Sequence, residues 1–188
     1  MKYKQAETPD CLFLINKYCQ TPQAKKILLQ HSQFVMKKAT AIASRLENTA
    51  IDLSFLREGA LLHDIGISST LAPAIGCTGT HPYIAHGVLG REILEREGFL
   101  KHALVCERHT GVGLTVKDIK LQSLPLPKRE MVPVSLEEQI ICYADKFYSK
   151  SPESLHVEKS VESIRNGLSK FCCSKTRQFD AWVELFGP

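Results

Sequence analysis

Apolar positions along this 188-residue chain recur at helical spacing, with no sustained two-residue alternation. A short helix is predicted over 10–19, carrying Leu12, Phe13, Ile15 and Tyr18. Thr21-Pro22 then supplies an N-cap followed by a proline preorganised for the first helical turn. A long helix follows to about Glu47, with Leu28, His31, Val35, Ala39, Ile42 and Leu46 on one stripe. After a break at Asn48-Thr49, Leu53, Leu56, Ala60 and His63 share the face of a helix that Gly66 is placed to end.

Residues 67–80 are rich in Ser, Thr, Gly and Pro, lack a period, and predict a long loop of the kind that often serves binding. Thr80-His81-Pro82 opens a helix to about Glu97, closed by Gly98. Its internal Gly87 and Gly90 each cost about 1 kcal/mol relative to Ala, and they make sense where another backbone or a ligand packs closely. Residues 99–109 form the next helix, with His102, Cys106 and His109 recurring on one face. Thr115-x-x-Asp118 resembles a capping box, residues 122–134 form a proline-rich surface loop, and Ser135-x-x-Glu138 opens a helix to about Lys150 as a full capping box. Amphipathic helices are predicted over 157–170 and 174–186. No segment predicts a strand.

Composition narrows the class. Hydrophobic and charged contents of 44% and 23% are ordinary for a globular protein. A net charge of +4 suits an anionic small molecule, while the absence of any long Lys/Arg run argues against a nucleic-acid footprint. Seven cysteines, an odd number with no Cys-x-x-Cys, point to reduced core thiols; the vicinal Cys172-Cys173 is a weak candidate for a soft metal or a redox sensor. Residues 1–7 lack the apolar core of a signal peptide, and no run reaches the ~20 apolar residues of a membrane span. The expectation is a soluble cytoplasmic protein with no membrane or nucleic-acid partner and no signal for an oligomeric state.

The candidate chemistry is an ordered series: His31, then His63-Asp64, then His86, His109 and Asp145. Singly, each has a structural explanation: a core histidine at 31, a dipole-stabilising histidine at the helix ends of 63 and 109, an exposed-edge aspartate at 145. Together they lie on separate helices, near helix ends or core-facing stripes, where a bundle can bring them to one centre. Imidazole and carboxylate ligands suit a divalent ion such as Mn, Fe, Zn, Co or Mg. A buried Asp64 has two oxygens and can bridge two ions.

The series, with the tetrapeptide His63-Asp64-Ile65-Gly66, His86-Gly87, His109-Thr110 and Ala144-Asp145-Lys146, resembles the HD-domain metal-dependent phosphohydrolases over about residues 22–150. It is similar to the HDIG subgroup and to small bacterial members that include symmetric dinucleoside tetraphosphatases. The resemblance implies an all-α HD-domain helical bundle over 1–150, with 151–188 as a helical extension packed on it. It implies one metal among His31, His63, Asp64 and Asp145, and a second held by His86, His109 and a bridging Asp64. It further implies hydrolysis of a phosphate ester or anhydride in a nucleotide or similar small anion. Asp64 would orient or deprotonate the water, and His86 and His109, where not ligands, would stabilise phosphoryl charge or protonate the leaving group. A di-iron oxygenase and a non-catalytic nucleotide sensor are the alternatives. Many members carry a phosphate-binding Lys directly after this tetrapeptide; here the residue is Ile67, leaving Lys146, Arg108 or Arg57 to supply positive charge. The extra glycine in His109-Thr110-Gly111-Val112-Gly113 departs from the tetraphosphatase pattern.

Overall fold

The structure is a computed structural model and describes residues 8–46 and 49–188. The stretch 1–7 read for a leader, the predicted helix end at Glu47 and the start of the break at Asn48 lie outside the described residues. The described residues are all-α apart from one small hairpin. In order come α1 (Cys11–Tyr18), α2 (Pro22–Ala43), α3 (Leu53–Leu62), α4 (His86–Arg96), α5 (Leu100–Arg108), α6 (Val116–Leu121), α7 (Leu136–Asp145), α8 (Val161–Ser169) and α9 (Cys173–Phe186).

Helix starts follow local polar chemistry. Asp10, Asp52 and Ser160 accept from the backbone N–H three residues on, satisfying a donor that has no partner in the first turn. Thr115 and Asp118 close a reciprocal capping box at α6. Two predicted caps differ. Ser135 accepts from the Glu138 N–H, but the Glu138 carboxylate turns to the Val134 N–H and to Arg108, so this box is only half formed. Thr21 sits at the N-cap of α2 while its hydroxyl donates to the Gly76 carbonyl at 2.8 Å, tying the helix start to the hairpin.

The predicted loop 67–80 is ordered. A 3-10 turn (Ile65–Ser69) leads to strand β1 (Leu71–Ala72), which pairs antiparallel with β2 (Cys77–Thr78) across a turn closed by Gly76 at φ +77°. Two-residue strands are too short to leave an alternating pattern, so the sequence showed only turn residues.

Gly66 does not end α3 in a left-handed cap. The helix closes at Leu62 with His63 still right-handed, and Gly66 lies inside the 3-10 turn. Its lack of a side chain serves packing: a Cβ there would meet the His86 carbonyl oxygen at 2.1 Å and the Gly90 nitrogen at 2.3 Å. The 3-10 turn and α4 therefore cross backbone to backbone.

One core cluster joins α2, α3, α7, α8 and α9 through Val35, Ile42, Leu56, Tyr143, Ile164, Phe179 and Trp182. A second joins α1, the N-terminal half of α2, the 3-10 turn and α4–α5 through Ile15, Leu28, Leu62, Ile67, Leu94 and Cys106. The predicted stripe of α2 is buried from Leu28 to Ile42, and the helix stops at Ala43, short of the expected end. The six candidate side chains lie in the same interior as these clusters. All are buried, including Asp145, which is not the exposed-edge residue that its place beside the apolar stripe allowed.

Candidate metal centre

Five elements deliver the six residues. His31 projects from the middle of α2, and His63 and Asp64 follow the last turn of α3. His86 is the first residue of α4, His109 caps α5, and Asp145 is the last residue of α7. Their ligand atoms converge in two overlapping groups, His31–His63–Asp64–Asp145 and Asp64–His86–His109, with the atoms of each group within 4.8 Å of one another.

Asp64 divides its two oxygens between the groups. Oδ2 lies 3.0 Å from His63 Nε2 and 3.3 Å from His31 Nε2, while His31 Nε2 lies 2.9 Å from Asp145 Oδ1. Oδ1 lies 3.4 Å from His86 Nε2 and 3.3 Å from His109 Nε2. The other five side chains thus gather about the Asp64 carboxylate.

Three of the imidazoles are oriented by the backbone carbonyl three residues before them. Nδ1 of His63, His86 and His109 lies 2.7, 2.8 and 2.7 Å from the carbonyls of Ala60, Tyr83 and Cys106. A carbonyl can only accept, so the proton sits on Nδ1 and Nε2 turns inward. This is the outer-shell bond that typically fixes the tautomer of a metal-binding histidine. Burial disfavours the charged forms of His86 and His109, which lowers both pKa values, that of His86 to about 3.

The two neutral rings therefore aim lone pairs at each other, with Nε2 atoms 3.1 Å apart. Asp64 Oδ1 joins them without a hydrogen-bond partner. Three acceptors converging on one point in a buried site is costly in an empty protein and favourable around a cation. The residues present fit a divalent ion.

The other half carries its own positive charge. Burial acts against the imidazolium of His63, but Asp64 and Asp145 outweigh it and lift the pKa to about 9. Burial likewise opposes ionisation of Asp64, yet His63 and Lys150 hold its carboxyl well below the usual range. For Asp145, Lys146 and Lys150 do the same.

Lys150 was missed by the sequence reading. Its Nζ lies 2.6 Å from Asp64 Oδ2 and 3.9 Å from Asp145 Oδ1. It lies five residues past Asp145, beyond the end of α7, so helical periodicity could not place it on the inward face. Of the cations considered from the sequence, Lys146 stands beside Asp145 at 2.8 Å, whereas Arg108 pairs with Glu138 and Arg57 is exposed. Ile67 is wholly buried in the second core cluster, so that position faces hydrocarbon. Tyr83, also missed, stacks on His86 with ring centroids 4.9 Å apart.

Nearby thiols are structural. Cys106 donates to the Leu62 carbonyl and Cys142 to the His109 carbonyl, each at 3.2 Å, and burial keeps both protonated, raising Cys142 to about 12. His102, predicted on the same face as His109, turns away to Glu58 at 3.0 Å.

A family model described as the HD domain matches residues 28–149, a span holding all six centre residues. The chain belongs to the HD domain family. Among its relatives, an uncharacterized protein of Methanocaldococcus jannaschii is 36% identical over 140 residues, covering 72% of this chain and 75% of that protein. A tRNA (cytidine(56)-2'-O)-methyltransferase of Thermoplasma volcanium is 31% identical over 156 residues, 82% of this chain and 40% of the enzyme. Its counterpart in Picrophilus torridus is 31% identical over 140 residues, 74% of this chain and 35% of the enzyme. This HD domain chain thus spans well under half of the two methyltransferases it resembles. No solved structure matches it. No described helix is long and apolar enough to cross a membrane.

Proposed function

We propose that this HD domain protein is a metal-dependent phosphohydrolase that cleaves a phosphate ester or anhydride of a nucleotide or similar small anion, with two ions sharing Asp64. The observation that carries this reading is the split of the Asp64 oxygens between two histidine pairs. His31, His63, Asp64 and Asp145 would hold one ion; Asp64, His86 and His109 would hold the other.

A divalent ion held there supplies Lewis acidity toward a phosphoryl group and lowers the pKa of a water. The chain's own groups do the rest. Asp64, ionised and central, would orient or deprotonate that water. Lys150 and Lys146 offer ammonium groups to phosphoryl oxygens beside Asp145. Tyr83 stacks on the His86 ring and so helps to hold it in place.

Seven unpaired thiols, five of them buried, fit a reducing compartment such as the cytoplasm. Methyl transfer belongs to relatives of which this chain spans only 35–40%, and nothing in the centre calls for it.

The test is metal quantification and turnover with Asp64→Ala beside wild type, using nucleotides and dinucleoside polyphosphates with Mn, Co, Fe and Mg. Wild type should take up close to two ions per chain and release phosphate or a nucleotide product. Asp64→Ala should lose both properties. Wild-type protein that binds no divalent ion on titration would overturn the proposal.

A further inference from the structure

Beside the metal centre, a cleft of about 310 Å³ opens between the end of α7 and helix α8. Asp145, on the rim of the centre, forms part of its wall, and Lys146, Lys150, Lys159 and Phe171 line it. Lys146 and Lys150 sit at its inner end, their side chains only 13% and 14% exposed and in contact with Asp145. Lys159 stands further out on the segment leading into α8, where its backbone N–H is fixed to the Phe147 carbonyl at 2.8 Å. Among the described residues no carboxylate pairs with Lys159. Partial burial, then repulsion from Lys146 and Lys150 against the pull of Asp145, hold its ammonium below the ordinary range. Phe171, which ends the α8 turn, is 69% exposed at the same cleft. A second cavity of about 240 Å³, between α2 and residues 152–156, contains none of the six centre residues.

Asp145 and Asp64 balance the inner two ammonium groups, whereas Lys159, lining the same cleft with no carboxylate partner among the described residues, adds positive charge that attracts an anion. A single phosphate can engage the inner pair, but Lys159 has a partner only if negative charge continues outward. An exposed aromatic lining the same cleft is a stacking platform for a planar ring.

Resting on the hydrolytic reading, we propose that residues 151–188 build the substrate cleft, in which Lys146, Lys150 and Lys159 bind a polyphosphate chain and Phe171 stacks on the nucleobase it carries. The substrate class is then a nucleoside polyphosphate, and Lys159 and Phe171 select it over a monophosphate. Both residues come from the part of the chain that the HD domain model does not match.

Calorimetric titration of the full chain with inorganic tripolyphosphate, orthophosphate and adenosine triphosphate tests this without turnover. Wild type should bind tripolyphosphate more tightly than orthophosphate. Lys159→Gln should weaken tripolyphosphate binding about tenfold, the scale of one lost charge-assisted contact. It should change orthophosphate binding less than twofold, leave metal content intact, and be rescued by Lys159→Arg. Phe171→Ala should weaken adenosine triphosphate about fivefold and leave tripolyphosphate unchanged. Wild-type affinity for tripolyphosphate in Lys159→Gln, or for adenosine triphosphate in Phe171→Ala, overturns the proposal. Lys159-dependent binding with no hydrolysis would sink the hydrolytic reading alone. Metal-dependent hydrolysis with a KM indifferent to Lys159 would sink this cleft alone.

Discussion

Gly66→Ala puts the backbone crossing beside the centre under direct test. The added methyl would lie 2.1 Å from the His86 carbonyl oxygen, 2.3 Å from the Gly90 nitrogen and 2.9 Å from its Cα. These are backbone atoms and cannot swing aside. Ordinary contact begins at 3.4 Å, so the 3-10 turn and α4 must part by about 1.3 Å, the difference between 3.4 and 2.1. Metal–ligand distances tolerate about 0.2 Å. Because α4 carries His86 at its first residue, the shift moves one member of the Asp64–His86–His109 group, while His31, His63 and Asp145 stand on other elements. Overpacking of this kind costs about 1–3 kcal/mol, a Tm drop of about 3–10 °C for a chain of this length. On the two-ion reading, elemental analysis should show metal content falling from near two per chain toward one. Gly59→Ala is the control: its methyl meets only side-chain tips, Ile141 Cδ1 at 2.9 Å and Val105 Cγ2 at 3.4 Å, which can turn away. It should keep the full metal content. Wild-type stability and metal content in Gly66→Ala would refute the idea that this crossing sets the position of His86.

Other substitutions probe the frame. Phe179→Ala, fully buried on α9 against Tyr143 and Phe147, should cost about 3–5 kcal/mol, seen as a lower urea midpoint of the whole chain; a loss confined to α8 and α9 would contradict a shared core. Glu107, buried on α5, receives both Arg91 and Arg129 and so pins the proline-rich loop, and Glu107→Ala should destabilise by about 1–3 kcal/mol, with faster proteolysis at residues 122–134. The Asp118 carboxyl, despite partial burial, is held below its ordinary 3.8 by Lys175 and Thr115. Its contribution to stability is therefore complete above that value and is lost as pH falls below it. Asp118→Asn should flatten the acid limb of the stability curve below about pH 4 and leave the neutral region parallel to wild type.

Much of the cluster was legible because its residues obey helical periodicity or fall at helix ends. His31 stands on an unbroken buried stripe, and His63, His109 and Asp145 fall where apolar runs stop. Where the backbone leaves the helix, the pattern lost its hold. Lys150 reaches Asp64 from beyond α7, at a spacing no periodic rule favours. Gly66 looked like a helix terminator because glycine often is one, whereas its reason lies in α4, some twenty residues away in sequence. The hairpin at 71–78 was too short to alternate, and the Glu138 side chain found a better partner in Arg108 than in the cap of its own helix. In each case a tertiary contact decided what a local rule had left open.

The bonds from His63 and His109 to the carbonyls three residues before them have a dynamic consequence. Both residues follow directly on the last turn of a helix, where fraying is ordinarily easiest. A ring that hydrogen-bonds its own final turn while facing a common centre couples the integrity of that turn to the centre's occupancy. The ends of α3 and α5, with Asp145 at the end of α7, then open together or not at all. If the centre holds ions as proposed, amide exchange at these three helix ends should respond as one cooperative unit to chelation, although they lie far apart in the chain.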